Sequence, residues 1–343
     1  MVAIICTHAT SNLQPDALPA AAFMALKLLL SGTVGFTTVS GMLVGYFCVT
    51  KANDWPRISA RYSRQAFRLV VVAHPLIAIA LYASLSEGES WLSFALGRWY
   101  ITDVLAVLFA VVVPVLPRIP PRGRLQLGIS LLLVSRVLGE IPASADQFAL
   151  LLTRDILAGV NPSQDHVLSG TYSLLSLAGM FLVGSWVGHA LALAERGPTA
   201  RRRFVQRLFV GALALLPLSA AMLALWAGAK FLALGGGAAP AVRSLLYPDY
   251  YLTFYPVYLA ATLVLLAFLA SRPDVGPGQR FLIVVGKTSL FTYVAQYYVV
   301  QTIPHLMGWR GQMSAGAAIV FIGLALPALG ALAAGYNRYV KKA

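Results

Sequence analysis

The sequence predicts an all-α, polytopic membrane protein, and three observations support this class. Of the 343 residues, 59% are hydrophobic and only 11% are charged, whereas a soluble domain is usually about one-quarter charged. Long apolar runs recur along the whole chain, as expected for membrane helices of roughly 20 residues. A transmembrane β-barrel would instead show short segments of alternating hydrophobicity. We therefore expect a single integral-membrane domain over residues 1–343.

Apolar runs of sufficient length mark the predicted membrane helices. They cover residues 24–49, 64–86, 98–117, 125–141, 171–193, 204–231, 249–271, 281–303 and 314–336. The opening MVAIICTH has the same character. Its residues rise only about 12 Å, which is too short to cross a bilayer. We predict a truncated first helix there, which gives a bundle of about ten helices.

The basic residues predict the orientation of the bundle. Nineteen of the 26 lysines and arginines fall on one side of the predicted helices. Because basic loops stay in the cytoplasm, this side is predicted to be cytoplasmic, with the C-terminus inside. The same short clusters explain the net charge of +14 without a nucleic-acid partner. They are Lys51, Arg57, Arg61, Arg64, Arg68, Arg118, Arg122, Arg124, Arg196, Arg201, Arg202, Arg203, Arg207, Arg272, Arg280, Lys287, Arg338, Lys341 and Lys342.

A row of arginines leads into the third predicted helix, and Arg64 and Arg68 lie at or inside the start of its apolar run. Arg57, Arg61, Arg64 and Arg68 are spaced four, three and four residues apart, which puts them on one face of a helix. Guanidinium groups bind phosphate oxygens in a bidentate manner. We interpret Arg57 as part of the basic flank. The others are expected to bind a phosphorylated soluble ligand, such as a nucleotide or coenzyme A, and membrane-lipid headgroups are the competing ligand.

Two further residues are candidates because they are ionisable and lie in or near predicted spans. His8 ends the truncated first helix, where an imidazole is either functional or caps the following loop. Asp103 enters the fourth predicted helix, where an acid needs a partner or a proton to handle. Arg98 could compensate its charge, although a spacing of five residues is poor helical geometry.

Other features favour structural roles. Arg136 and Glu140 are expected to form an ion pair within one helix. Gly179, Gly184 and Gly188 are expected to allow close approach of another helix. The connection 142–170 is the longest polar one, and loops of this length are often functional.

Short motifs along the chain resemble integral-membrane acyltransferase family 3. IICTHA followed by GTVGFTTVSGMLVGYF resembles the family's first-helix histidine and second helix, with Phe36, Ser40 and Gly41 in the motif positions. RYSRQAFRLVVVAHP resembles its arginine-rich entry to the third helix, and GKTSLFTYVAQYYV resembles a late helix. WYITDVL is similar to the fourth helix of the OpgC-type glucan succinyltransferase branch.

The resemblance implies a bacterial inner-membrane enzyme that moves an acyl group from a cytoplasmic acyl-CoA-type co-substrate to a glycan hydroxyl. No permanently bound cofactor or metal is implied. His8 would be the general base, with Asp103 as a second catalytic candidate. The donor would be bound by Ser40, Arg61, Arg64 and Arg68. Gln296 and Tyr293 would lie on the acceptor side.

This chain departs from the family at two positions. The arginine that the family carries earlier in its first helix would fall upstream of Met1, and Gln296 replaces the late-helix histidine. Two other classes of function therefore stay open. They are a transporter or flippase of an anionic or lipid-linked substrate, and an inactive relative that acts as a scaffold. The absence of visible internal symmetry favours the enzyme over the transporter.

Overall fold

The computed structural model describes residues 2–14, 32–85, 88, 90–139, 141, 146–159, 168, 172–233, 250–271 and 288–339, and this part of the chain is helical with no β-strand. Five helices in it are long and apolar enough to cross a membrane, which supports an integral-membrane helical protein. The count of about ten helices stays a prediction. The five are Gly32–Thr50, Ala52–Tyr82, Ile101–Arg118, Leu174–Ala194 and Ala315–Tyr339.

The helices form two compact units, each of which we describe by itself. The terminal unit comprises Met1–Gly32, Val71–Leu96 and Arg272–Ala343, and the central unit comprises Thr33–Val70 and Gly97–Ser271. Arg136 and Glu140, which were expected to pair, have side chains outside the described residues.

The terminal unit is organised around the short first helix. Ile5 and Ala9 of this helix pack with Val300, Ala325 and Leu329 in a buried apolar cluster. Helices in this unit are α1 (Val2–Ala9), α4 (His74–Leu85), α5 (Trp91–Leu96), α12 (Ser289–Tyr297), α13 (Ile303–Leu306) and α14 (Ala315–Tyr339).

The central unit contains the remaining helices. They are α2 (Gly32–Thr50, whose first residue belongs to the terminal unit), α3 (Trp55–Arg68), α6 (Ile101–Val107), α7 (Pro121–Gly139), α8 (Phe148–Ala158), α9 (Leu174–Ala194), α10 (Pro198–Ala233) and α11 (Tyr250–Ser271). The α6 helix continues through a π segment and ends in a 3₁₀ turn at Leu116–Arg118. At the start of α9, the Ser173 hydroxyl accepts a hydrogen bond from the amide of Ser176, which satisfies one free donor of the first turn.

Helix α3 begins earlier than the sequence indicated. The helix predicted from residue 64 begins at Trp55, so all four arginines of the row lie within it. Pro56 in the first turn favours this start, because a proline there removes no helical hydrogen bond. The predicted single face for the four arginines is confirmed, and the predicted boundary is wrong.

The connection 142–170 was predicted as a polar loop, but it contains α8. Two of its charged residues, Arg154 and Asp155, are buried and form an ion pair with 3.4 Å between Nη2 and Oδ1. The Asp155 carboxylate also accepts a hydrogen bond from the amide of Leu168. The two charges neutralise each other inside the fold, so their polarity reflects a structural contact rather than a solvated loop.

Three π segments occur in the described helices, and each ends two residues before a proline. They are Leu69–Ala73, Leu108–Val112 and Tyr298–Thr302, followed by Pro75, Pro114 and Pro304. A helix proline has no N–H for the carbonyl four residues earlier, and its ring crowds that carbonyl. That carbonyl belongs to the central residue of each π segment, so the prolines account for the widened turns.

Glycines bring α2 and α9 into backbone contact. A Cβ atom added to Gly41 or Gly45 of α2 would overlap the backbone of α9. Added to Gly184 or Gly188 of α9, it would overlap the backbone of α2. Gly179 makes the equivalent contact with α7, where an added Cβ would lie 2.6 Å from the carbonyl oxygen of Gly128. The predicted packing role of these glycines is confirmed, since only residues without a side chain permit such crossings.

Candidate functional site

In the terminal unit, His8 contacts a pair of tyrosines from α12. The centroid of its imidazole ring lies 4.8 Å from that of Tyr297, with the ring planes tilted by 49°. The Tyr297 hydroxyl is hydrogen-bonded to the Tyr293 hydroxyl at 2.8 Å, and both tyrosines are buried. The predicted base His8 and the predicted acceptor-side residue Tyr293 are therefore linked through one intervening ring.

Polar atoms in this region are buried without a hydrogen-bond partner among the described residues. They include Nδ1 of His8 and both Oε1 and Nε2 of Gln296. The Gln296 side chain is fully buried, and a buried amide normally makes hydrogen bonds. An unpaired polar group in such a setting costs about 1–3 kcal/mol, which makes the Gln296 amide a candidate binding group.

Asn12 fixes the segment that follows His8. Because Pro304 lacks an N–H, the carbonyl of Val300 has no helical donor at that position. The Asn12 side-chain amide donates to this carbonyl at 2.8 Å from a fully buried position. The hydrogen bond thus ties the residue four positions after His8 to the helix that carries Tyr297.

Backbone hydrogen bonds reinforce this attachment. The amide of Gln14 donates to the carbonyl of Met313, and the amide of Met313 donates to the carbonyl of Asn12, both at 2.9 Å. These bonds form an isolated parallel bridge between Leu13 and Met313. The end of α1 is therefore held beside the connection that leads into α14.

The arginine row lies in the central unit on α3. Arg57, Arg61, Arg64 and Arg68 are all exposed, whereas Ala66 on the same helix is buried. Arg64 and Arg68, at the start of the apolar run, have their side chains on the exposed face of this amphipathic helix. No ion pair joins the row to a carboxylate in the described part of the chain. The row is accessible to an external anion.

Ser40 and Asp103, also in the central unit, have local structural contacts. The half-buried Ser40 hydroxyl donates to the carbonyl of Phe36, one turn earlier in α2, at 2.8 Å. The buried Asp103 carboxylate accepts a hydrogen bond from the amide of Tyr100 at 2.8 Å, which caps the first turn of α6. A donor-binding or catalytic role for either residue stays a prediction.

The predicted site residues thus fall into two groups. His8, Tyr293 and Gln296 belong to the terminal unit, while Ser40, the arginine row and Asp103 belong to the central unit. Sequence reasoning missed Tyr297 and Asn12. Tyr297 directly follows Gln296 in the motif GKTSLFTYVAQYYV, so the motif could have identified it. No local pattern predicts the hydrogen bond of Asn12, because its partner lies far along the chain.

No family model, no curated protein and no solved structure shows a significant match to the chain.

Proposed function

We propose that the chain is a membrane-bound O-acyltransferase of a bacterial inner membrane, with its C-terminus in the cytoplasm. It transfers an acyl group from a cytoplasmic acyl-CoA-type co-substrate to a hydroxyl of a glycan or another cell-envelope acceptor. The proposal rests on the order of the short motifs along the chain. The observation that carries it is the half-buried His8 imidazole, which contacts the ring of Tyr297 in the hydrogen-bonded tyrosine pair. Its Nδ1 atom is buried and has no hydrogen-bond partner among the described residues.

The chemistry requires one proton acceptor and one electrophile. The His8 imidazole takes the proton of the acceptor hydroxyl, whose oxygen attacks the thioester carbonyl. A new ester bond forms, the carbon–sulfur bond breaks, and the imidazolium returns the proton to the departing thiolate. Gln296 and Tyr293 supply hydrogen-bonding groups for the acceptor, since amide and phenol groups can both donate to sugar oxygens.

Accessible cations support the donor side of the proposal. Arg61, Arg64 and Arg68 are exposed on one face of α3, and each can bind phosphate oxygens through two N–H groups. By the positive-inside rule this face borders the cytoplasm, where acyl-CoA is made available. The predicted alternative ligand for the same face is the phosphate of membrane lipids.

The decisive experiment replaces His8 by Ala and measures acylation of cell-surface glycans, alongside acyl transfer from labelled acyl-CoA in isolated membranes. General-base catalysis contributes about 10²- to 10⁴-fold, so the rate should fall by at least about 10²-fold. His305→Ala is the matched control, because this half-buried histidine lies in α13 of the same unit and should leave the rate unchanged.

The alternatives give different outcomes. Unchanged acylation by the His8→Ala variant, with an active wild type, contradicts the catalytic role. Wild-type membranes that move an anionic or lipid-linked substrate but acylate nothing would instead identify a transporter or flippase. Membranes with neither activity would favour the scaffold.

A further inference from the structure

Two buried tyrosines of α12 lie one helical turn apart and hold each other in place. Tyr293 and Tyr297 are 2% and 4% exposed, and their spacing of four residues puts them on one face of the helix. Their hydroxyl groups are hydrogen-bonded at 2.8 Å, and their ring centroids lie 5.4 Å apart with the ring planes at 78°. This edge-to-face geometry is favoured for aromatic pairs. The Tyr297 ring is therefore held both by its hydroxyl group and by a second ring.

The contact between Tyr297 and His8 adds a third ring to this pair. The imidazole centroid lies 4.8 Å from the Tyr297 centroid, with the ring planes tilted by 49°. The main chain of His8 is anchored separately, because the Ser11 hydroxyl donates to its carbonyl at 2.7 Å. Within the described residues, the buried Nδ1 atom of His8 has no hydrogen-bond partner that could orient the imidazole. The Tyr297 ring restricts the rotation of the imidazole instead.

The usual orienting group of a reactive imidazole is a carboxylate that accepts a hydrogen bond from Nδ1. The described residues of the terminal unit contain neither Asp nor Glu, and they are 2–14, 32, 71–85, 88, 90–96 and 288–339. In this part of the unit, the contact made by the His8 imidazole is with an aromatic ring. The ring is suited to the orienting role because it is buried and its own position is fixed at the hydroxyl end.

We propose that Tyr297 is a positioning residue that fixes the orientation of the His8 imidazole, and that its hydrogen bond with Tyr293 holds its ring in place for this purpose. The orientation of the imidazole rests on the contacts described above, and its consequence for catalysis rests on the proposed function. Proton transfer from the acceptor hydroxyl requires a ring nitrogen within hydrogen-bond reach. A misplacement of about 1 Å can lower a rate by about 10²-fold, so Tyr297 acts on the reaction through His8.

Steady-state kinetics of acyl transfer, with the full-length chain in membranes, separate the ring from the hydroxyl group. Tyr297→Leu removes both and should lower kcat by about tenfold or more, with KM unchanged because Tyr297 does not bind the substrates. Tyr297→Phe keeps the ring beside His8 and should restore most of the lost kcat. Tyr298→Phe is the matched control, because it removes a hydrogen bond to the carbonyl of Leu76 at 2.8 Å that is separate from the tyrosine pair. It should leave kcat unchanged.

A second measurement reports on the imidazole without any acyl transfer. The purified chain is labelled with ¹³C in its five histidines, and the His8 signal in the NMR spectrum is the one that His8→Ala removes. The adjacent aromatic ring should shift this signal and keep it narrow in the wild type. Tyr297→Leu should move and broaden the signal, while Tyr297→Phe and Tyr298→Phe should leave it close to its wild-type position.

The two measurements separate this proposal from the proposed function. If His8→Ala abolishes acyl transfer and Tyr297→Leu leaves kcat unchanged, the positioning role is overturned and the proposed function stands. A loss of activity in Tyr297→Leu without a change in the His8 signal also overturns the positioning role. If the wild type transfers no acyl group, the proposed function fails and the NMR signal decides. A His8 signal that moves and broadens in Tyr297→Leu then still supports orientation by Tyr297, and an unchanged signal overturns it.

Discussion

At the scale of single residues, several polar groups are buried without a hydrogen-bond partner among the residues that the structure describes. Gln296 is fully buried, and neither atom of its amide is hydrogen-bonded within the described residues. If this side chain only fills space, replacing it by an apolar side chain of similar size should make the protein more stable. Stability and function should therefore respond in opposite directions to such a substitution.

Gln296→Met tests this opposition. The variant should raise the free energy of unfolding by about 1 kcal/mol, because methionine has a similar shape and carries no amide. Acyl transfer by the same variant should fall. Thermal unfolding in detergent and the membrane assay with labelled acyl-CoA measure the two effects.

The control for this variant is Gln301→Met, because Gln301 lies in the π segment that continues α12 and is only half-buried. It should change neither quantity appreciably. A Gln296→Met variant that is less stable and fully active would show that the amide has a structural partner and no role in the reaction.

The sequence predicted the position of a residue well where a local spacing rule applied, and poorly where the position depends on a contact with a distant part of the chain. The spacing of Arg57, Arg61, Arg64 and Arg68 was sufficient to place them on one face. Asn12 could not be identified in this way, because it donates to a carbonyl 288 residues away. Such a partner depends on how the helices pack, which no local pattern specifies.

At the scale of helices, prolines account for where the regular hydrogen-bond pattern widens. Each of the three described π segments is centred on the carbonyl whose donor a proline removes. Pro327 lies inside α14, where no π segment occurs. In the terminal unit, the Val300 carbonyl has no helical donor because of Pro304, and it accepts a hydrogen bond from the Asn12 side-chain amide instead. This hydrogen bond attaches the segment that follows His8 to the helix.

A double-mutant cycle tests this anchor. Asn12→Ala alone should cost about 1–3 kcal/mol, because the Val300 carbonyl is then buried without a donor. In a Pro304→Ala background the cost should be smaller by at least about 0.5 kcal/mol, since alanine supplies an N–H to the same carbonyl. Chemical unfolding of the four chains measures the difference.

The control cycle uses Pro327→Ala in place of Pro304→Ala. Because the carbonyl that Pro327 leaves without a helical donor is not the one that Asn12 reaches, the cost of Asn12→Ala should be the same with and without this substitution. If Pro304→Ala also leaves the destabilisation by Asn12→Ala unchanged, Asn12 does not replace the donor that Pro304 lacks.

At the scale of the whole molecule, charge and hydropathy predict the orientation, while packing decides which polar segments are buried. The five long apolar helices support membrane insertion, as composition indicated. The connection 142–170 was predicted as a polar loop, whereas part of it forms α8. Arg154 and Asp155 are instead paired and buried, a contact that composition alone does not reveal.

Orientation can be measured with single cysteines in a Cys6→Ser, Cys48→Ser background. By the positive-inside rule, Ala60→Cys on α3 should react with a membrane-impermeant maleimide only after the cells are permeabilised. Thr153→Cys on α8 should react in intact cells. Both positions are exposed, so access to the reagent differs only by the side of the membrane. The reverse labelling pattern would overturn the predicted orientation.

The glycine crossing of α2 and α9 has a mechanical consequence for the residues these helices carry. Four positions at the crossing have less clearance than one methyl group, so neither helix can slide or rotate against the other without a backbone collision. Ser40 and Cys48 lie on one helix and His189 on the other. The distance between these residues is consequently set by contact between the two main chains rather than by side chains that could adjust.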